Sequence, residues 1–212
     1  MKLSRLLALG FLLSTALHAA DAKKLNVLFI AVDDLRPEVN ASGSNLVKTP
    51  NLDRIAARGT TFDRAYCQQA VCSPSRSAIL TGRTPHRNGV YTWIQERSEV
   101  HLRTSEITLP RLLKSAGYAT AHSGKWHLNG LFNNPAQPQP SDHGYDWWLA
   151  TQNNAGPSHE NPSNFVRNGQ PLGRLEGYAA PLVVDEAVAW LKSKRDPAKP
   201  FFLAVWTHEP HY

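Results

Sequence analysis

The sequence predicts an α/β domain built on a mostly parallel central sheet. Two observations carry this. Short apolar runs alternate with stretches of helical periodicity bounded by proline and glycine, the order of a strand–helix–strand chain. Three clusters of ionisable residues also directly follow predicted strands, and open α/β sheets bind ligands at the carboxyl ends of their strands.

The first strand is Leu25 to Val32, a nearly continuous apolar run rich in β-branched residues, as in a buried parallel strand. It ends at Asp33-Asp34. A helix then opens at Thr49-Pro50, with Thr49 as N-cap and Pro50 in the first turn. Leu52, Ile55 and Ala56 form its apolar face and Gly59 ends it. A second helix is expected from Pro74, capped by Ser73 and stopping before Gly82. A third starts near Thr108, with Leu109, Leu112, Leu113 and Ala116 on one face and Gly117 as its stop. Tyr118 to Ser123 reads as a strand leading into Gly124-Lys125-Trp126-His127. From 129 to 177, Pro, Asn, Gly and Gln dominate, and a long surface excursion with little regular structure is expected. Val183, Ala187, Trp190 and Leu191 mark another helix. Phe201 to Trp206 is the last strand, followed by Thr207-His208-Glu209-Pro210-His211.

The composition narrows the class. With 212 residues, 42% hydrophobic and 19% charged, the chain can bury a core and is not a disordered sequence. Its net charge is +6, but the basic residues are scattered, so no nucleic-acid partner is read; the balance favours anionic substrates in general. Residues 1–22 read as a signal peptide: Lys2 and Arg5 precede a mostly apolar stretch from Leu6 to Leu17, and Ala20-Asp21-Ala22 is a small-x-small cleavage pattern. The apolar stretch is too short to span a bilayer comfortably, so no stable membrane insertion is expected and the protein is read as exported, periplasmic or secreted. Of the two cysteines, Cys67 is expected to be a packed thiol separate from Cys72.

Four clusters carry chemistry. Asp33 and Asp34 suit a hard divalent cation, which takes oxygen ligands; alone, the pair also fits an acidic surface turn. Cys72 precedes Pro74, at a helix N-terminus where a thiolate or an anion is favoured, and Arg76 lies one turn further on, where its fork can hold an oxyanion or a modified Cys72 side chain. Lys125 and His127, expected on one face of an extended segment, pair a cation with a titratable imidazole, which suits an anionic substrate. His208 and His211 flank Pro210 and fit a metal site, an acid–base pair or a structural turn.

Cys72-Ser73-Pro74-Ser75-Arg76 followed by Thr81-Gly82-Arg83 resembles the signature of type I sulfatases. The resemblance extends through Asn26 to Asp34, Thr49 to Gly59, Gly117 to Leu128 and the terminal His208 to His211. It implies an alkaline phosphatase-like sandwich, with residues 23–212 as the N-terminal part of a catalytic domain whose fold is incomplete in this chain. It implies that Cys72 is oxidised to formylglycine by a maturation enzyme and serves as nucleophile and metal contact. Asp33 and Asp34 would bind calcium, with magnesium the second choice. Arg76 would steady the formylglycine hydrate and Lys125 would bind sulfate. His127 would take a proton to expel sulfate, and His211 would contact sulfate and protonate the leaving oxygen.

The implied reaction is hydrolysis of sulfate monoesters. The first substrate is a sulfated carbohydrate, the second an aryl sulfate. Asn154, His159 and the Trp147-Trp148 pair are weighed as sugar contacts against an ordinary core and loop role. Two alternatives remain open: a phosphate ester hydrolase of the same superfamily, against which Cys72 argues, and an inactive anion-binding fragment. Family members are longer and carry further metal and sulfate ligands in their later half, so this chain alone is expected to be inactive.

Overall fold

The computed structural model describes residues 23–211; the expected signal peptide lies outside the described residues. A six-stranded sheet runs in the order β1-β6-β2-β3-β4-β5. Its strands are β1 (Val27–Val32), β2 (Ala119–Lys125), β3 (Trp147–Thr151), β4 (Val166–Arg167), β5 (Gln170–Pro171) and β6 (Phe201–Thr207). The first four in spatial order are parallel, and β4 and β5 add a short antiparallel ribbon at one edge. The α/β expectation holds. The central strand β6 is buried on both faces, which is why Phe201 to Trp206 is uninterruptedly apolar.

Side-chain alternation sorts β6 into two cores. Phe202, Ala204 and Trp206 join Leu80, Val90, Trp126 and Tyr145 on one face. Leu203 and Val205 join Ala121, Leu149 and helix α5 (Ala179–Ala189) on the other. Helix α5 presents Ala179, Val183 and Ala187 to the sheet, four residues apart as the sequence predicts, and its last turn widens to π geometry over Trp190–Lys194. On the opposite face lie α2 (Cys72–Thr81), α3 (Pro85–Asn88) and α4 (Leu109–Ser115). Strand β1 is an edge: its Val27, Phe29 and Ala31 pack on the first core, whereas Leu28 and Ile30 face outward, 53% and 51% exposed.

The structure corrects several expectations. The excursion from 129 to 177 is not irregular throughout: it contains β3, a full parallel partner of β2. Trp148 is buried there, and Trp147 donates to Glu186 at 2.8 Å, so the tryptophans serve the fold. Helix α1 (Pro50–Ala56) buries none of its apolar face and Thr49 makes no capping bond; its hydroxyl bonds the Asp53 side chain instead. On α4, Leu112 stays exposed while Leu113 packs on the core. Cys67 is exposed rather than packed, and both cysteines are free. Among the described residues, no helix is long and apolar enough to cross a membrane.

Candidate active site

Because β1, β6, β2 and β3 are parallel, their carboxyl ends share one edge of the sheet. Asp33 and Asp34 leave β1 there, Lys125 ends β2, Asn154 follows β3, and His208 and His211 follow β6. Helix α2 points its N-terminus at the same edge. The helix starts at Cys72, two residues earlier than expected, after an extended Val71 that makes no side-chain cap. Ser73 is not the cap: its hydroxyl accepts from the Ile94 N–H at 3.1 Å and ties the neighbouring loop to the helix. Gly82, at φ 64°, ends the helix in a left-handed turn.

Lys125 is the hub. Its ammonium is fully buried and lies 2.8 Å from Asp33 Oδ2, 3.1 Å from Asn154 Oδ1 and 3.6 Å from Cys72 Sγ. Three protons thus meet three acceptors. Asp33 also takes a 2.9 Å ion pair from Arg76, and Cys72 Sγ approaches its other oxygen at 3.8 Å. Burial opposes the charge on Asp33, but Arg76 and Lys125 outweigh it and hold the carboxyl below the usual carboxylate range.

The Arg76 guanidinium is buried and committed. It donates to Asp33 and to the Lys125 carbonyl at 2.6 Å and lies 4.9 Å above the Trp206 ring. It therefore braces Asp33 and the end of β2.

His127 does not share an extended face with Lys125, because its φ of 54° takes it out of strand geometry. It is buried, with Nε2 3.0 Å from the Ile94 carbonyl and Trp93 edge-on at 5.5 Å. A carbonyl only accepts, so Nε2 carries the proton and Nδ1 the lone pair. Nδ1 is buried with no partner among the described residues. Burial first, then the nearby charges of Lys125 and Arg76, push the imidazole pKa down to about 3. His127 is thus a neutral, unpartnered base beside two cations.

His211 Nε2 lies 3.6 Å from Asp34 Oδ2, and its Nδ1 lies 3.2 Å from the Asn154 amide nitrogen. His208 is buried and bonds Thr151 Oγ1 at 2.8 Å, a structural contact across β6 and β3. His159 pairs with Glu209 at 3.9 Å. Asp33, Asp34, Cys72, Arg76, Lys125 and His211 therefore converge, while His127 is held against Ile94 and Trp93, and Asn154 joins the cluster through Lys125 and His211. The signal was present: Trp147 to Thr151 is a short apolar run, and Asn154 follows its end as Asp33 follows β1.

A cavity of about 600 Å³ opens over the cluster, lined by Asp33, Asp34, Cys72, Arg76 and His211, with exposed Cys67 at its wall. A second cavity of about 360 Å³ is lined by Asn154 and by further side-chain amides, Asn133, Asn134, Gln152, Asn153 and Asn164, with Glu96 and Arg97. As to a metal, the two carboxylates fit a hard cation in kind. They supply only part of a coordination shell: no group of three acidic, histidine or cysteine donors is gathered among the described residues.

The family model described as Sulfatase matches residues 25–212. An N-acetylglucosamine-6-O-sulfatase from Bacteroides thetaiotaomicron is 34% identical over 194 residues, covering 90% of this chain and 31% of that protein. Human iduronate 2-sulfatase is 34% identical over 226 residues, covering 97% of this chain and 40% of its own. Among solved structures, Ps i-CgsB in complex with a neocarrahexaose superposes with a TM-score of 0.79 at 28% identity, over 90% of this chain and 46% of that one. BT4656 in complex with its substrate D-glucosamine-2-N,6-O-disulfate superposes with a TM-score of 0.72 at 33% identity, over 89% and 35%. The chain thus spans less than half the length of each of these relatives.

Proposed function

The chain belongs to the sulfatase family, with its alkaline phosphatase-like fold, and from that premise we propose that its site hydrolyses sulfate monoesters on carbohydrate, with position 72 as the nucleophile. The observation that carries the reading is the placement of Cys72: at the first turn of a helix, 3.6 Å from a buried ammonium and beside a carboxylate pair. A helix N-terminus and a lysine both favour an anion at that point.

Oxidation of Cys72 to formylglycine would supply an aldehyde hydrate, one hydroxyl to attack sulfur and a second through which sulfate is later expelled. The Cys72 Sγ marks where these oxygens would sit. Lys125 would hold the sulfate oxygens and stabilise the charge that moves onto them. His127, with its lone pair on Nδ1, would take the proton from the second hydroxyl. A bound anion would offset the effect of Lys125 and Arg76 on that imidazole and raise its proton affinity. His211, 25% exposed and on the rim, would donate a hydrogen bond to the departing oxygen, which takes its proton from water. Arg76 would keep Asp33 ionised and in place.

Asp33 and Asp34 would hold a divalent cation, calcium before magnesium. Charge supports this: Arg76 and Lys125 only balance the two carboxylates, so a dication is what would make the pocket net positive toward a sulfate. The amide-lined cavity beside Asn154 would take the sugar, since amides offer both donors and acceptors to hydroxyls. The basic, apolar stretch at 1–22 supports export, and maturation of Cys72 requires a partner enzyme.

The test is release of inorganic sulfate from a 6-O-sulfated amino sugar by the product of the complete gene, made together with a formylglycine-forming enzyme. The expected result is turnover that Cys72→Ala abolishes and that exceeds hydrolysis of the matching phosphate ester. Equal activity in Cys72→Ala, or preference for phosphate, overturns the reading.

A further inference from the structure

The polar chain Lys125–Asn154–His211–Asp34 has a direction that its two ends impose. Lys125 is an ammonium paired with Asp33 and has only protons to offer, so the atom of Asn154 that faces it at 3.1 Å must be the amide oxygen. The other end of the same amide, Nδ2, then faces His211 Nδ1 at 3.2 Å. An amide NH2 only donates, so Nδ1 must be the acceptor. A neutral imidazole that accepts on Nδ1 carries its proton on Nε2. That nitrogen faces Asp34 Oδ2 at 3.6 Å, and a carboxylate only accepts. Reversing the amide would set donor against donor at Lys125, so the Lys125 end alone fixes its orientation. The loop is pinned to hold this arrangement: Asn164 donates to the Asn154 carbonyl at 2.9 Å and accepts from the Gly156 N–H at 2.8 Å.

We propose that Asn154 is a positioning residue that locks neutral His211 in its Nε2–H tautomer, so that Nε2–H is the hydrogen-bond donor presented to the leaving oxygen. The tautomer follows from the hydrogen-bond polarity alone; its role as hydrogen-bond donor to the ester oxygen rests on the sulfate-ester reading.

The tautomer is read directly by two-bond 15N–1H correlation spectra of histidine-labelled protein, treated with a chelator and held in alkaline buffer, where imidazoles are neutral. The wild type is expected to show a protonated Nε2 and an unprotonated Nδ1 for His211. Asn154→Asp offers acceptors to both neighbours and is expected to shift the proton to Nδ1. Asn154→Ala, with no partner for Nδ1, is expected to give a mixture. A wild-type spectrum with the proton on Nδ1, or an Asn154→Asp spectrum unchanged from wild type, overturns the assignment. The wild-type spectrum decides it even where a variant fails to fold.

The catalytic half has its own readout. A hydrogen bond to the departing oxygen matters most for a poor leaving group, so Asn154→Asp should lower kcat on a sugar sulfate by about 100-fold and on a nitrophenyl sulfate by far less. Equal losses on both esters would overturn the hydrogen-bond-donor role. A matured wild type inactive on both would remove the sulfate-ester reading, while the spectrum would still decide the tautomer.

Discussion

Asp33 and Lys125 form a 2.8 Å ion pair although they leave strands that are not neighbours: β6 lies between β1 and β2. The pair closes over the carboxyl end of β6 and is buried, with 8% of the Asp33 side chain and none of the Lys125 side chain exposed. It joins the candidate metal side of the site to the sulfate side.

Breaking this pair leaves a buried charge short of a partner. Lys125→Met is expected to lower unfolding stability by about 3 kcal/mol. Asp33→Asn should cost a similar amount, because two cations then face a neutral amide. Urea unfolding of both single variants and the double variant checks this. Coupling of roughly 2 kcal/mol is expected between the positions, and additive effects would contradict the pairing.

Gly124 is fixed by a close approach. Its φ is 119°, and a Cβ there would fall inside the Trp206 carbonyl of β6. Gly124→Ala must therefore push β2 off β6 next to Lys125. A loss of about 3 kcal/mol or more is expected from thermal or urea unfolding, with a loss of catalysis in whatever protein remains folded.

Acid should unfold the domain over a defined range. His122, His127 and His208 are buried and neutral, each with its pKa pushed down to about 3, chiefly by burial and further by the Arg76 charge. In the unfolded chain an imidazole titrates near about 6.5. Between these values the unfolded chain binds protons that the native chain refuses. Stability from these groups is thus complete above about pH 6.5 and is lost as pH falls toward 3, by up to roughly 1.4 kcal/mol per pH unit for each. Asp33 acts in a separate window: its depressed pKa stabilises the fold above the unfolded value of about 3.9 and that contribution is lost at lower pH. Urea midpoints measured between pH 7 and 5 should fall steeply. His143 is likewise buried and pushed down to about 4, so His122→Phe should remove about one quarter of the slope. A flat profile would contradict the buried neutral histidines.

Asp34 separates metal binding from folding. Its side chain is 65% exposed, and its φ of 54° is one that asparagine also tolerates. Asp34→Asn should leave the unfolding temperature in chelator unchanged and weaken calcium binding by about 10-fold or more in calorimetric titration. Unchanged calcium affinity would contradict a metal role for this carboxylate.

Much of this was legible in the sequence because local and global signals agreed. β1 and β6 are continuous apolar runs, and the ionisable residues after β1, β2 and β6 do meet at one edge. The cysteine motif placed the helix terminus to within two residues. What was not legible depended on long-range packing. β3 is only five residues long and sits among Pro- and Asn-rich segments, so its pairing with β2 left no local trace beyond Trp147 to Thr151. The left-handed turn at His127 and the commitment of Arg76 to Asp33 arise from contacts across the fold. The exposed face of α1 shows the converse: helical periodicity at Leu52 and Ile55 formed a helix without a partner to bury it.

The central claim is that position 72 acts as an oxidised nucleophile rather than as a thiol. Peptide mass spectrometry across Cys72, on protein from its native host, tests this most directly. The expected result is a peptide whose residue 72 carries an aldehyde in place of CH2–SH, with Cys67 in the same digest still a thiol. A thiol at position 72 in protein that releases sulfate would contradict it.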